Sequence, residues 1–131
     1  MSVLFALLVP LPILYLAVFR FVPVPVTPQM ILHFATLQEV HHSWVDYRDI
    51  APALKRSVIA SEDQNFCIHH GFDWTNIEKA EADHQLHPDK PMRGASTISQ
   101  QTARTLFLLP IRSWVRKGLE AYLTVLVEAM W

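Results

Sequence analysis

From Val3 to Phe19 the chain carries no charged side chain, and the apolar character continues past Arg20 through Phe21-Val22-Pro23-Val24-Pro25-Val26. Counted through Val26, this run is long enough to cross about 30 Å of hydrocarbon, with Arg20 near its end where a long cationic side chain can snorkel to the interface. The sequence therefore predicts one transmembrane helix, kinked at Pro10 and Pro12, which lipid tolerates better than water does. A cleaved signal peptide would need a small-x-small site before the proline-rich stretch, and none is convincing, so the expectation is an uncleaved anchor. Only Met1 and Ser2 precede the run, so the positive-inside rule has nothing to count there. Pro23, Pro25 and Pro28 then fix φ and bias their predecessors away from helix, giving a stiff exit.

The chain's 131 residues suffice for one small domain. Hydrophobic residues make up 51% of it and charged ones 18%, with the apolar excess at the N-terminus, which points to a membrane-associated protein. Eleven Lys and Arg stand against twelve Asp and Glu, so there is no basic field to hold a nucleic acid and that class of partner is excluded. Cys67 is the only cysteine, which rules out an intrachain disulfide, and with His69 and His70 it lacks the paired spacing that structural zinc needs. Segment 1–26 is thus expected to be anchor and exit, and 27–131 the working domain.

Within 27–131, Met30, Ile31, Phe34 and Leu37 fall at helical spacing and predict a short amphipathic helix close to the bilayer over 29–40. Asp46-Tyr47-Arg48-Asp49 reads as a turn, with Asp49 an N-cap and Pro52 in the first turn of a helix that carries Leu54, Val58 and Ile59 toward a core. That helix delivers Glu62 at its C-terminal end. There, partial desolvation and the negative end of the macrodipole would both oppose ionisation and suit the carboxylate to moving a proton. The plainer reading of Glu62-Asp63 is a solvated helix end. Gly71 breaks the chain, Asp73 or Thr75 caps a helix running to about Asp83, and 84–92, with Pro88 and Pro91, is a loop.

A second polar constellation follows. Ser96, Gln100 and Arg104 recur at i, i+4 and i+8 on one side of a predicted helix, with Thr97, Gln101 and Thr105 beside them. A capping box, Thr97-x-x-Gln100, explains two of these residues and leaves the rest of the stripe. Hydroxyls and amides ending in a guanidinium suit a sugar ring next to a phosphate. Ser113 can cap a last helix to Trp131 whose apolar face is Leu119, Tyr122, Leu123, Leu126, Val127 and Met130. Arg116, Lys117 and Glu120 are expected on the opposite side, either as an ordinary surface ion pair or as a cradle for a diphosphate, directly or through a divalent metal.

Taken in order, Glu62-Asp63-x-x-Phe66-x-x-His69-x-Gly71, Gly94-Ala95-Ser96-Thr97-Ile98-x-Gln100-Gln101 and Arg116-Lys117-x-x-Glu120 resemble the first three motifs of the peptidoglycan glycosyltransferases, glycosyltransferase family 51, in its short, single-anchor branch. The resemblance implies an all-α, lysozyme-like domain beside the bacterial inner membrane, on its periplasmic side, that polymerises lipid II into glycan strands. By that resemblance Glu62 is the base and Glu120 a second acid assisting departure of the diphosphate. Arg104, Arg116 and Lys117 would stabilise the charge on the leaving group. Asp63, Phe66, His69, Gly71, Ser96, Thr97, Gln100 and Gln101 would complete the substrate site. It allows a divalent cation, magnesium or manganese, at the diphosphate, and implies as partners lipid II, the growing strand, the membrane and other cell-wall synthesis proteins. Two departures stand out: Arg104-Thr105 where the family has Lys-Asn, and a chain that stops before two further motif regions, so that the domain is expected to be partial. A membrane-anchored remnant that binds without turnover, and a lysozyme-like hydrolase, are the other readings.

Overall fold

Prolines start three of the helices. Each lacks an amide hydrogen where the first turn has no partner for one, and each already holds a helical φ. The computed structural model of the chain describes residues 8–131. In chain order the helices are α1 (Pro10–Phe19), α2 (Pro28–Ala35), α3 (Pro52–Glu62), α4 (Trp74–Leu86), α5 (Ile98–Phe107) and α6 (Trp114–Met130). No β-strand occurs among the described residues, in keeping with the all-α expectation.

α1, α5 and α6 form the core. Leu16, Ala103, Leu106, Leu123 and Val127 are buried together, with Val24 of the proline-rich segment beside them. Tyr15 stacks at a tilt on Phe107, ring centroids 4.9 Å apart. α1 is also tied to α6 by polar bonds. The Tyr122 hydroxyl donates to the Leu8 carbonyl at 2.6 Å and the Trp131 indole N–H to the Leu16 carbonyl at 2.9 Å. Arg20 donates to the Met130 carbonyl.

The expected membrane span is not seen as a single helix among the described residues. α1 is a helix of ten residues, about 15 Å long, and Pro23 and Pro25 keep the following segment extended instead of helical. No helix among the described residues is long and apolar enough to cross a membrane. Residues 3–7 of the expected span lie outside the described residues.

Other boundaries moved for local reasons. α2 starts where the Thr27 hydroxyl accepts from the Met30 amide at 3.3 Å, and it closes early. There the Thr36 hydroxyl bonds back to the Leu32 carbonyl at 3.0 Å and Leu37 turns left-handed at φ 57°. The 46–49 turn forms, with the Asp49 amide on the Asp46 carbonyl at 2.9 Å, but α3 is capped by Ala51 without a side-chain bond and not by Asp49. Nor does α3 deliver its apolar residues to the core: Leu54 and Val58 are exposed and nothing on the helix is buried. Asp73 caps α4 as expected, accepting from the Asn76 amide at 2.9 Å, and α4 runs three residues beyond Asp83. Ser113 caps α6 by accepting from the Arg116 amide at 3.1 Å.

Candidate active site

The capping residues of α5 tie the loop after α3 to the helix. Thr97 and Gln100 close the capping box, the Gln100 amide on the Thr97 hydroxyl at 3.2 Å and the Thr97 amide on the Gln100 side chain at 3.1 Å. The Thr97 hydroxyl in turn donates to the Gly71 carbonyl at 2.7 Å. Asp63, buried, accepts from His69 Nε2 at 2.8 Å with one oxygen and from the Ile98 amide at 2.9 Å with the other. The second of these places a carboxylate at the positive end of the α5 dipole. Phe66 sets its edge on the His69 ring, centroids 6.2 Å apart. Asp63, Thr97 and Gln100 thus hold loop and helix together, and the capping box of Thr97 and Gln100 forms as the spacing predicts.

Gly71 is required where it stands. Its φ is +80°, and a Cβ there would lie 2.8 Å from Glu128 Cγ and 3.0 Å from Thr124 Cγ2. Asp73 gathers the Asn76 amide, Asn65 Nδ2 at 2.8 Å and Asn76 Nδ2 at 2.6 Å. The backbone bond from Asn76 chiefly holds its carboxyl below the usual range, against an opposing effect of burial and with help from the two side-chain amides and His69. Ligand atoms of Asp63, His69 and Asp73 lie within 4.8 Å of one another. Both oxygens of each aspartate already accept hydrogen bonds, so this group reads as a brace between loop and helix.

On this brace two cavities open side by side. One, of about 330 Å³, is lined by Ser61, Glu62, Asp63, Asn76, Ser96 and Thr97 among others. The other, of about 630 Å³, is lined by Ile77, Met92, Gln100, Arg112, Trp114, Arg116 and Lys117 among others. Arg93, Ala95 and Ser96 line both, so the two cavities adjoin at the loop before α5 and together form the candidate groove.

Glu62 is exposed at the mouth of the first cavity, its Oε2 accepting from Gln101 Nε2 at 3.1 Å. The desolvation expected for it is absent, because α3 packs none of its residues into the core. Arg104 corrects a second expectation: it is exposed on the last turn of α5 and lines neither cavity. Helical spacing alone put it with Ser96 and Gln100, but two turns of helix carry it away from the groove.

Glu120 corrects a third. Rather than lying on a face opposite the apolar one, it is 1% exposed beside Leu123, Thr124 and Val127. Its oxygens accept from Arg116 Nη1 at 2.5 Å and Lys117 Nζ at 2.6 Å. Burial alone would push its carboxyl up; the hydrogen bonds from Lys117 and Arg116, with their charges, outweigh it and hold the carboxyl below the usual range. The carboxylate of the pair is therefore buried while its cations are partly exposed, and the Arg116 Nε, itself buried, has no partner among the described residues. A divalent cation at this end would need free oxygen ligands. Glu120 is the only carboxylate the motif supplies there, and both its oxygens are taken, so the residues do not fit a metal.

Sequence reasoning missed Arg93 and Arg112, the remaining cations of the larger cavity. Their signal was proximity to the second and third motifs, Arg93 directly before Gly94 and Arg112 directly before the Ser113 cap.

An all-α domain with a carboxylate-lined cavity adjoining a cation-lined one agrees with the class that the motifs suggested. The transglycosylase family model matches residues 29–131, and the chain belongs to that family. Over 128 residues it is 46% identical to the biosynthetic peptidoglycan transglycosylase of Caulobacter vibrioides, covering 98% of this chain and 55% of that protein. It is 45% identical over 123 residues to the protein of the same description from Bdellovibrio bacteriovorus, covering 89% and 48%. With that of Xanthomonas axonopodis pv. citri it shares 56% identity over 92 residues, 70% of this chain and 37% of that protein. The chain spans about half the length of the curated relatives it matches. No solved structure matches it.

Proposed function

We propose that the groove is a peptidoglycan glycosyltransferase site that polymerises lipid II into glycan strands and releases undecaprenyl diphosphate. The observation that carries this reading is that the cavity lined by Glu62 and the cavity lined by Arg116 and Lys117 share Arg93, Ala95 and Ser96. A displacement at an anomeric carbon needs a base on one side and positive charge on the other. Glu62 takes the proton of the acceptor's 4-hydroxyl as that oxygen bonds to C1 of the donor sugar. The C1–O bond to the diphosphate breaks, its electron pair stays with the phosphate, and the anomeric centre inverts. Arg116 and Lys117 meet the charge that develops. Glu120, held ionised by those two cations, orients them and has no proton to give. Because Glu62 is exposed in the free chain, its desolvation comes from the bound acceptor.

The same reading sets a lysozyme-like helical domain against the outer face of the bacterial inner membrane, where a lipid-borne donor is found. The exposed apolar residues Ile31 and Phe34 of α2 and Phe21 before it support that placement. Other cell-wall synthesis proteins are the expected neighbours.

The exposure of Glu62 favours one second reading, a lipid II-binding chain without turnover. Lipid II polymerisation by the purified 131-residue chain in detergent decides: strands that vanish in Glu62→Gln support the transferase, and binding without strands supports the second reading.

A further inference from the structure

Arg116 and Lys117 share one buried carboxylate, so the trio of Arg116, Lys117 and Glu120 is left with a single net positive charge. A diphosphate esterified at both ends carries a charge on each phosphate. The larger cavity therefore needs further cations if it is to hold that group in balance. Among the described residues, Arg93 and Arg112 line this cavity and take part in none of the ion pairs. They are not equivalent. Arg112 lines the larger cavity alone, whereas Arg93 lines both, where the two cavities adjoin.

We propose that Arg93 is a substrate-binding residue of the reaction, its guanidinium holding the phosphate next to the sugar of a polyprenyl diphosphate donor at the junction of the two cavities. The proposal rests on the reading of the groove as a diphosphate-sugar site. The junction is where the bond to the leaving oxygen breaks, so it is also where negative charge grows during the reaction. A planar fork of N–H donors there strengthens its hold on going from bound donor to transition state. Arg93 is free to do this: it is exposed, in the loop before α5, and next to Gly94, around which nothing lies within 4 Å of a would-be Cβ. The larger cavity adds the apolar walls of Ile77, Met92 and Trp114, which suit the first isoprene units of the same ligand.

Binding of farnesyl diphosphate and farnesyl monophosphate to the intact chain, followed by calorimetry, tests this with Arg93→Gln and Arg93→Lys. Both variants should keep the wild-type circular dichroism, because the side chain is exposed and unpaired. Arg93→Gln is expected to weaken diphosphate binding roughly tenfold and monophosphate binding much less, with Arg93→Lys in between. If the wild type binds the diphosphate and Arg93→Gln binds it equally well, the assignment of Arg93 is overturned and the groove reading survives. If the wild type binds no diphosphate at all, the groove reading fails and takes the assignment with it.

Discussion

Replacing Gly71 by alanine should cost about 2–4 kcal/mol of stability, although the change adds one methyl group. Part of the cost is conformational: at φ +80° a side chain meets its own backbone, worth about 1 kcal/mol or more. The rest is contact. The new methyl would stand 3.0 Å from the Thr124 methyl, on a side chain with no exposure and a hydroxyl committed to the Glu120 carbonyl at 2.7 Å. It would stand 2.8 Å from Glu128 Cγ, and a shift of Glu128 would disturb the bond it accepts from the Ser99 hydroxyl. That loss adds about 1 kcal/mol. Urea unfolding followed by tryptophan fluorescence reads the effect as a lower midpoint at unchanged slope. Gly94→Ala and Gly118→Ala are the controls, since nothing lies within 4 Å of a Cβ at either position. In the middle of α6, Gly118→Ala should raise stability by about 0.5–1 kcal/mol. A Gly71→Ala midpoint within error of the wild type, or three alanine variants that behave alike, would show that the close approach of Gly71 to α6 is not a constraint.

Glu120→Gln should destabilise by about 2–3 kcal/mol, less than a fully buried pair because the Lys117 side chain is 42% exposed, and equal midpoints in urea would refute this. Since the Glu120 carboxyl titrates below its ordinary 4.5 in the folded chain, its contribution is complete above that pH and is lost as pH falls through the lower folded value. The acid limb of a stability–pH curve should accordingly be flatter in Glu120→Gln, and superimposable limbs would count against the assignment. Tyr122→Phe removes the bond to the Leu8 carbonyl and should cost about 1 kcal/mol. Hydrogen exchange should then quicken in α1 before α5, and uniform quickening would show that α1 is not separately clasped.

Local signals were well represented in the sequence. Asp73, Thr97 and Ser113 all cap where their side chains say they should, because a cap is settled by residues three positions apart. Of the motif residues, Glu62 and Ser96 line the smaller cavity, and Ser96, Arg116 and Lys117 the larger. What failed depended on which face of a helix meets another helix. Val58 and Leu54 have helical spacing yet stay exposed, and Glu120 was expected on the face opposite the apolar one although two adjacent cations make its burial tolerable. The apolar run of α1 reads equally well as lipid-facing or protein-facing from composition. Only the contacts of Leu16, Tyr15 and Tyr122 show that part of it serves the core of the domain.

The carboxylate proposed as base rides on a helix with no interior anchorage, and its position is set from its C-terminal end, by Gln101 and by the neighbouring Asp63 on the Ile98 amide. α3 is thus held mainly at its C-terminal end. Substitutions along its outer length, at Lys55 or Arg56 for example, should be nearly silent for the groove. Replacing Asp63 or Gln101 removes a bond at the held end and is expected to let Glu62 shift within the cavity it lines.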